Sequence, residues 1–253
     1  MVHFVGAGCG AKDLITVRGK EYIERADVII YAGSLVNPEL LEYAGKECEI
    51  LNSAYMTLPE IIEVVKNAEK KGQTTVRLHT GDASIYGAIK EQMDTFDRLG
   101  IEYDVTPGVS AAFGAAASLG IEYTLPDVSQ SLIITRMAGK TSVPESESIE
   151  SFASHKASMA IYLSSGMLGE LSERLIRGGY EPDTPAAIVY KASWQEEKSV
   201  MCCIKTLERA AKYNGISKTA VILAGEAVCP GKYSLSKLYD PEFETEYRKL
   251  NDD

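Results

Sequence analysis

Apolar residues in the first hundred positions fall into short continuous blocks separated by longer stretches with helical spacing. Val2 to Val5 reads as a short strand and Val28-Ile29-Ile30-Tyr31-Ala32 as a buried-type strand. Cys48 to Leu51, Thr74 to Leu78 and Glu102 to Val105 also read as strands. Between them the spacing predicts a helix over 13–26, with Leu14, Val17 and Tyr22 on its apolar face and Asp13 as N-cap. Pro38 opens a short helix to Ala44. Leu58 to Lys71 is an amphipathic helix stopped by Gly72, and Tyr86 to Leu99 is one stopped by Gly100. Strands alternating with helices predict a mostly parallel sheet covered on its faces.

The pattern changes after Pro107-Gly108-Val109-Ser110-Ala111. A run of small residues, Ala112 to Gly120, predicts a tightly packed helix, and Leu125-Pro126-Asp127 breaks the chain. Strands are then expected at Leu132 to Thr135, Met159 to Leu163, Ala186 to Tyr190, Val200 to Ile204 and Ala220 to Ala224. Helices are expected near Glu145 to Ser154, Met167 to Arg177 and Leu207 to Tyr213. The boundary falls within residues 114–125, which gives two α/β domains, 1–116 and 117–253. The charged tail from Asp240 to Asp253 is expected to be peripheral.

Composition narrows the function classes. The chain has 253 residues and 45% hydrophobic content, ample for a core, and a net charge of -10. That balance argues against nucleic acid as a partner. It leaves room for an anionic small substrate held by a local basic pocket. No apolar run is long enough to span a bilayer and no signal-like segment opens the chain, so a cytoplasmic protein with no membrane partner is expected. The five cysteines (9, 48, 202, 203 and 229) show no metal-ligand spacing, and there are only three histidines, so no metal site is expected. Cys202 and Cys203 lie in an apolar strand and read as packing residues.

Candidate chemistry sits in two glycine-bearing loops, each where a strand hands over to a helix. One is Val5-Gly6-Ala7-Gly8-Cys9-Gly10; the other is His79-Thr80-Gly81-Asp82-Ala83-Ser84-Ile85-Tyr86-Gly87. Ligands of open α/β sheets bind at such strand ends. A dinucleotide fits poorly, because the second strand ends in Tyr31-Ala32-Gly33-Ser34 with no acidic residue for a ribose diol. No Gly-Lys-Ser/Thr triplet offers a P-loop.

Taken together, the motifs resemble the tetrapyrrole methylases of corrin and sirohaem synthesis. The resemblance covers nearly the whole chain. It rests on Val5 to Gly10, Asp13-Leu14-Ile15-Thr16-Val17-Arg18-Gly19, Ala26-Asp27-Val28-Ile29, Tyr31, Gly81 to Gly87 and Pro107 to Ala111. Ser34-Leu35-Val36, His79 to Asp82, Tyr86 to Ile89, Glu91-Gln92-Met93, Thr135-Arg136, Leu163-Ser164-Ser165 and Val189-Tyr190-Lys191-Ala192-Ser193-Trp194 are similar to one branch of it. That branch methylates C11 of precorrin-4, and the likeness is strongest to its cobalt-using form.

The resemblance implies two α/β domains with a ligand cleft between them, and S-adenosylmethionine as co-substrate, leaving as S-adenosylhomocysteine. Carried over by residue, Cys9, Thr80, Gly81, Asp82, Ile85, Tyr86, Ser110 and Ala111 would border the cofactor, with Leu163, Tyr190, Ala192, Thr219 and Ala220 on the other side. Small residues at 81, 111, 192 and 220 suit close backbone approach. Most family members carry proline where Cys9 stands, which weakens the case for that one contact. It can still serve, since the contact is mostly one of shape. Asp82 reads equally as the cap of a helix starting near Ser84. Tyr86 and Tyr190 read either as core aromatics or as rings near the sulfonium. Trp194 is either a substrate platform or a lid residue.

The resemblance also implies an anionic tetrapyrrole substrate whose carboxylates need cations. Arg136, Lys191, Arg18 and His79 are the candidates, with Lys12 beside them. The attacking carbon belongs to the substrate, so no protein nucleophile or triad is required, and no general base is evident. Related enzymes are homodimers, and a homodimer is expected. A sibling methylase with another substrate, and a carrier that binds without turnover, remain as alternatives.

Overall fold

The computed structural model describes residues 1–249; the last four positions of the charged tail lie outside the described residues. The chain divides into two compact units. The first is Met1–Ser118 with Lys191–Lys198, and the second is Leu119–Tyr190 with Ser199–Asp253.

In the first unit β1 (Val2–Gly6), β2 (Val28–Tyr31), β3 (Glu49–Asn52), β4 (Thr75–His79) and β5 (Tyr103–Thr106) form one sheet in the order β3-β2-β4-β1-β5. Every pairing in it is parallel. β1 and β4 are buried along their whole length, as a central parallel strand must be. Alternate side chains feed opposite faces. Val2, Phe4, Val28 and Ile30 pack with Ile61, Ile62 and Val65 of α2 (Leu58–Lys70) and Phe96 of α3 (Lys90–Leu99). Val5, Ile29, Val76 and Leu78 pack with Ile23 of α1 (Val17–Arg25) and Leu40 of the 3-10 turn Pro38–Tyr43. α4 (Ala111–Leu119) is the small-residue helix.

Two helix starts differ from expectation. The segment 13–26 is a 3-10 turn, Lys12–Leu14, followed by α1, and the N-cap is Thr16 rather than Asp13. Thr16 Oγ1 accepts the Gly19 N–H at 3.1 Å, while Ile15 is extended. Gly8 packs against this break: a Cβ there would lie 2.9 Å from the Leu14 carbonyl oxygen. The helix expected from Tyr86 starts only at Lys90, because Tyr86 (φ 57°) and Ala88 (φ 50°) are left-handed. Asp82 therefore does not cap a helix.

The second unit is also α/β, but its sheet is mixed. β6 (Leu132–Arg136), β7 (Ser158–Tyr162), β8 (Pro185–Tyr190), β9 (Lys198–Cys203) and β10 (Ala220–Ala224) stand in the order β6-β7-β10-β8-β9. β6 and β7 are parallel, while β10 runs antiparallel to both β7 and β8. The core joins Ile161, Ile188 and Ile222 to Ile149 of α5 (Ile149–Ala153), Leu171 and Leu175 of α6 (Leu168–Arg177) and Leu207 of α7 (Leu207–Tyr213). α5 is shorter than the helix expected over 145–154, which opens as a 3-10 turn at Glu145–Glu147. Cys202 is partly buried against this core, and its thiol pKa is pushed up by burial to about 11.

Candidate functional site

Three loops of the first unit meet at the C-terminal ends of β1, β4 and β5. Gly8 and Gly81 exchange backbone hydrogen bonds, Gly8 N–H to Gly81 O at 3.2 Å and Gly81 N–H to Gly8 O at 3.0 Å. A Cβ on Gly6 would lie 2.6 Å from Gly108 N and from Gly81 O, and one on Gly108 only 2.1 Å from Gly81 O. Side chains at 6 and 108 are therefore sterically excluded. Gly81 is different: a Cβ there meets only ordinary contacts, and its φ of 61° is what favours glycine. The closest backbone approach of the three loops is at 6 and 108, which the motifs by themselves do not single out.

Asp82 ties this cluster together. Its Oδ1 accepts from Ser84 N–H at 2.9 Å and from the Ser84 hydroxyl, and its Oδ2 accepts from Gly108 N–H at 2.9 Å. Burial works to raise the carboxyl pKa, but the bonds from Ser84 and Gly108 outweigh it and hold Asp82 below the usual range. The side chain closes a turn and bridges two loops.

Beside it lie polar atoms with nothing to bind. His79 Nε2, Thr80 Oγ1 and Thr106 Oγ1 are buried without a hydrogen-bond partner. Such groups are scarce in folded proteins, and each calls for a partner. His79 is 4% exposed, and burial, reinforced by Arg77, lowers its pKa from 6.5 to about 3. The imidazole is neutral at pH 7, so the cationic role expected of His79 is corrected: a carboxylate would find a hydrogen-bonding ring there, not a charge. The cation on this strand is Arg77, which is buried and bonded to Gln92 Oε1 (2.9 Å) and Ile30 O (2.6 Å).

Ser110 is buried, and its carbonyl accepts from Phe113 and Gly114 N–H at the start of α4, where Ala111 follows it. Ile85 is half-buried. Tyr86 is 45% exposed, so it is not the core aromatic that one reading made it. Cys9 is buried, and its Sγ lies 3.3 Å from Ser193 Oγ. Ser193 and Ala192 belong to the strap Lys191–Lys198, which joins the first unit although both flanking strands lie in the second sheet. Trp194, undecided from sequence, packs on Gly10, where a Cβ would lie 2.2 Å from Trp194 Cδ1, and its indole N–H donates to Cys9 O at 3.2 Å.

Within the second unit, the end of β7 and the start of β10 lie side by side because those strands are antiparallel. Ser165 Oγ donates to Ala220 O at 3.1 Å. Leu163 (φ 52°) is 62% exposed, and Thr219 (φ 55°) precedes buried Ala220. Tyr190, paired with Ala220 across the β8–β10 ladder, packs partly against the core. Left-handed Leu163 and Thr219 are strained positions that no glycine pattern announced.

The other expected cations sort differently. Arg136 Nη1 and Nη2 bind the carbonyls of Met137 (3.0 Å), Thr141 (3.3 Å) and Ser142 (2.8 Å). Both terminal nitrogens serve its own loop, which counts against the expected carboxylate role. Lys191 Nζ lies 3.0 Å from Glu196 Oε1 and 4.7 Å from the Trp194 ring centroid. Lys12 pairs with Glu42 at 3.0 Å. Arg18 is exposed. Among the described residues no group of three or more His, Cys, Asp and Glu could hold a metal ion, and no helix is long and apolar enough to cross a membrane.

The family profile described as Tetrapyrrole (Corrin/Porphyrin) Methylases matches residues 1–208. The chain belongs to this family. It is a methyltransferase with the family's mixed α/β fold. A protein of Methanocaldococcus jannaschii named cobalt-precorrin-4 C(11)-methyltransferase is 54% identical over 98% of this chain and 96% of its own length. One of Priestia megaterium with the same name is 41% identical, covering 98% and 97%. The X-ray structure of a cobalamin biosynthetic enzyme, cobalt precorrin-4 methyltransferase, superposes with a TM-score of 0.88 at 42% identity, covering 90% of this chain and 96% of that one.

Proposed function

We propose that this methylase transfers a methyl group from S-adenosylmethionine to C11 of precorrin-4, with the cobalt-bearing form as first candidate substrate. The observation that carries the reading is the end-to-end similarity, at 54% identity, to a protein named for that reaction. The loops of the first unit suit the co-substrate. Backbone at Gly81 is bare, and Thr80 Oγ1 is a buried group still wanting a partner, which a polar nucleoside would supply.

S-adenosylmethionine, when bound, supplies an electrophilic methyl on its sulfonium. The attacking carbon is the tetrapyrrole's, so this chain's work is to hold, orient and exclude water. Thr80, Gly81, Asp82, Ile85, Ser110 and Ala111 of the first unit, with Cys9 and Ala192, are assigned to the co-substrate. Leu163, Tyr190, Thr219 and Ala220 of the second unit are assigned to it as well. Tyr86, exposed and held left-handed, is assigned to the co-substrate with them. Arg18 and Lys191 are assigned to substrate carboxylates, and neutral His79 to a hydrogen bond rather than an ion pair. The reading extends to a homodimer in the cytoplasm, acting on a carboxylate-rich tetrapyrrole.

Anaerobic incubation with S-adenosylmethionine and enzymatically made cobalt-precorrin-4, beside the metal-free compound, tests this by mass spectrometry. One added methyl and an equivalent of S-adenosylhomocysteine are expected, and the better substrate decides the cobalt question. No methyl on either compound, with the co-substrate bound, sinks the C11 reading and leaves a sibling substrate or a carrier role.

A further inference from the structure

The strap Lys191–Lys198 is the one piece of the first unit that sequence order does not explain, and its turn is strained. Lys191 (φ 47°) and Ser193 (φ 66°) are both left-handed without being glycine. Such a conformation persists only where its surroundings hold it, and the surroundings here converge on one carboxylate. Glu197 Oε2 accepts the Ser193 N–H at 2.5 Å and lies 2.7 Å from Ser118 Oγ on the last turn of α4. Ser193, so held, accepts the Ala11 N–H on its hydroxyl at 3.0 Å and sets that hydroxyl against Cys9 Sγ. Trp194 closes on Gly10 and Cys9 O from the same turn. There is no slack: a Cβ on Gly10 would lie 2.5 Å from Ala192 O, and one on Gly114 2.7 Å from Cys9 Sγ and 3.5 Å from Ala192 Cβ.

We propose that Glu197 is a positioning residue for the methyl-transfer reaction. Its carboxylate holds the left-handed turn at Ser193, and through Ser193 and Trp194 that turn sets the place of Cys9-Gly10-Ala11 and of Ala192 along the co-substrate. The proposal rests on the assignment of Cys9 and Ala192 to S-adenosylmethionine. Hydrogen-bond acceptance is what the geometry uses, so a carboxamide can replace the carboxylate and a methyl cannot.

Trp194 is the chain's single tryptophan, so its fluorescence reports the strap directly. In Glu197→Ala the emission is expected to move to the red and acrylamide quenching to rise. The KM for S-adenosylmethionine should rise about tenfold or more while the tetrapyrrole KM stays within about twofold, and far-UV circular dichroism should not change. Glu197→Gln should recover most of both changes. Ser118→Ala, which removes a bond to the Glu197 carboxylate and touches neither Gly10 nor Ala192, should move both readouts in the same direction to a smaller extent, and it decides the matter if Glu197→Ala does not fold. Wild-type emission, or a shifted emission with an unchanged S-adenosylmethionine KM, overturns the proposal. A wild-type protein that binds no S-adenosylhomocysteine by calorimetry ends the assignment of the site instead, and the emission comparison still decides whether Glu197 holds the strap.

Discussion

Two neighbouring regions of the first unit are built on opposite principles. Where Gly6, Gly81 and Gly108 meet, backbone packs on backbone, and the contact depends on side chains being absent. Where the strap meets Cys9-Gly10-Ala11, side chains do the holding: one indole, one hydroxyl and one carboxylate. The first kind of contact has no tolerance, because a carbonyl oxygen cannot move aside as the end of a side chain can. The second kind is graded in its side-chain parts, which can be weakened one at a time, while the approach of Gly10 to the Ala192 carbonyl shares the intolerance of the first.

Substitution tests this contrast. Gly108→Ala should be the most damaging change, since its methyl would stand 2.1 Å from the Gly81 oxygen. A loss of roughly 3 kcal/mol or more, read as a fall in the urea midpoint or as insoluble protein, is expected. A soluble variant of wild-type stability would break the comparison. Gly81→Ala, with room for its methyl but a φ of 61°, should lose only about 1–2 kcal/mol.

His79 sharpens the comparison through pH. Its pKa is about 3 in the folded chain and 6.5 when exposed, so between those values the unfolded chain binds the extra proton. Stability therefore falls as pH drops through that window. About two pH units below 6.5 the loss is roughly 2–3 kcal/mol. His79→Phe should remove that part of the acid sensitivity, measured as the difference in unfolding free energy between pH 7 and about pH 4.5. An unchanged difference would mean that the ring is not held neutral by burial. Asp82→Asn keeps the shape but weakens three charge-assisted bonds, and about 1–2 kcal/mol is expected by the same denaturant measurement. Ser193→Ala, which removes a single acceptor from the strap, should lose about 1 kcal/mol or less. A larger loss there than at Gly108 would reverse the proposed order.

Much of the fold was legible in the chain because strands and helices announce themselves locally. The apolar runs at 2–5 and 28–32 need only their own residues to be recognised, and Gly100 stops α3 in the left-handed conformation that its sequence suggested. Helix starts were less legible. Thr16 and Lys90 begin the helices expected to start at Asp13 and Tyr86, because Ile15 is extended and Tyr86 and Ala88 are left-handed, conformations that their residue types do not announce. Among the expected site residues, Asp82 and Gly81 were marked by type, but the demotion of Arg136 and His79 as cations depended on loop carbonyls and burial that no local pattern carries.

The amino-acid order alone therefore determined the α/β class, the loops that follow β1, β4 and β5, and the family. These follow from periodicity and from motifs a few residues long. Only the tertiary structure decided which glycines are required by contact and which by φ, which basic groups keep their charge and donors available, and that Trp194 sits on a loop 185 residues earlier in the chain. Close approach and burial belong to pairs of residues far apart in sequence, and neither partner carries a local sign of the other.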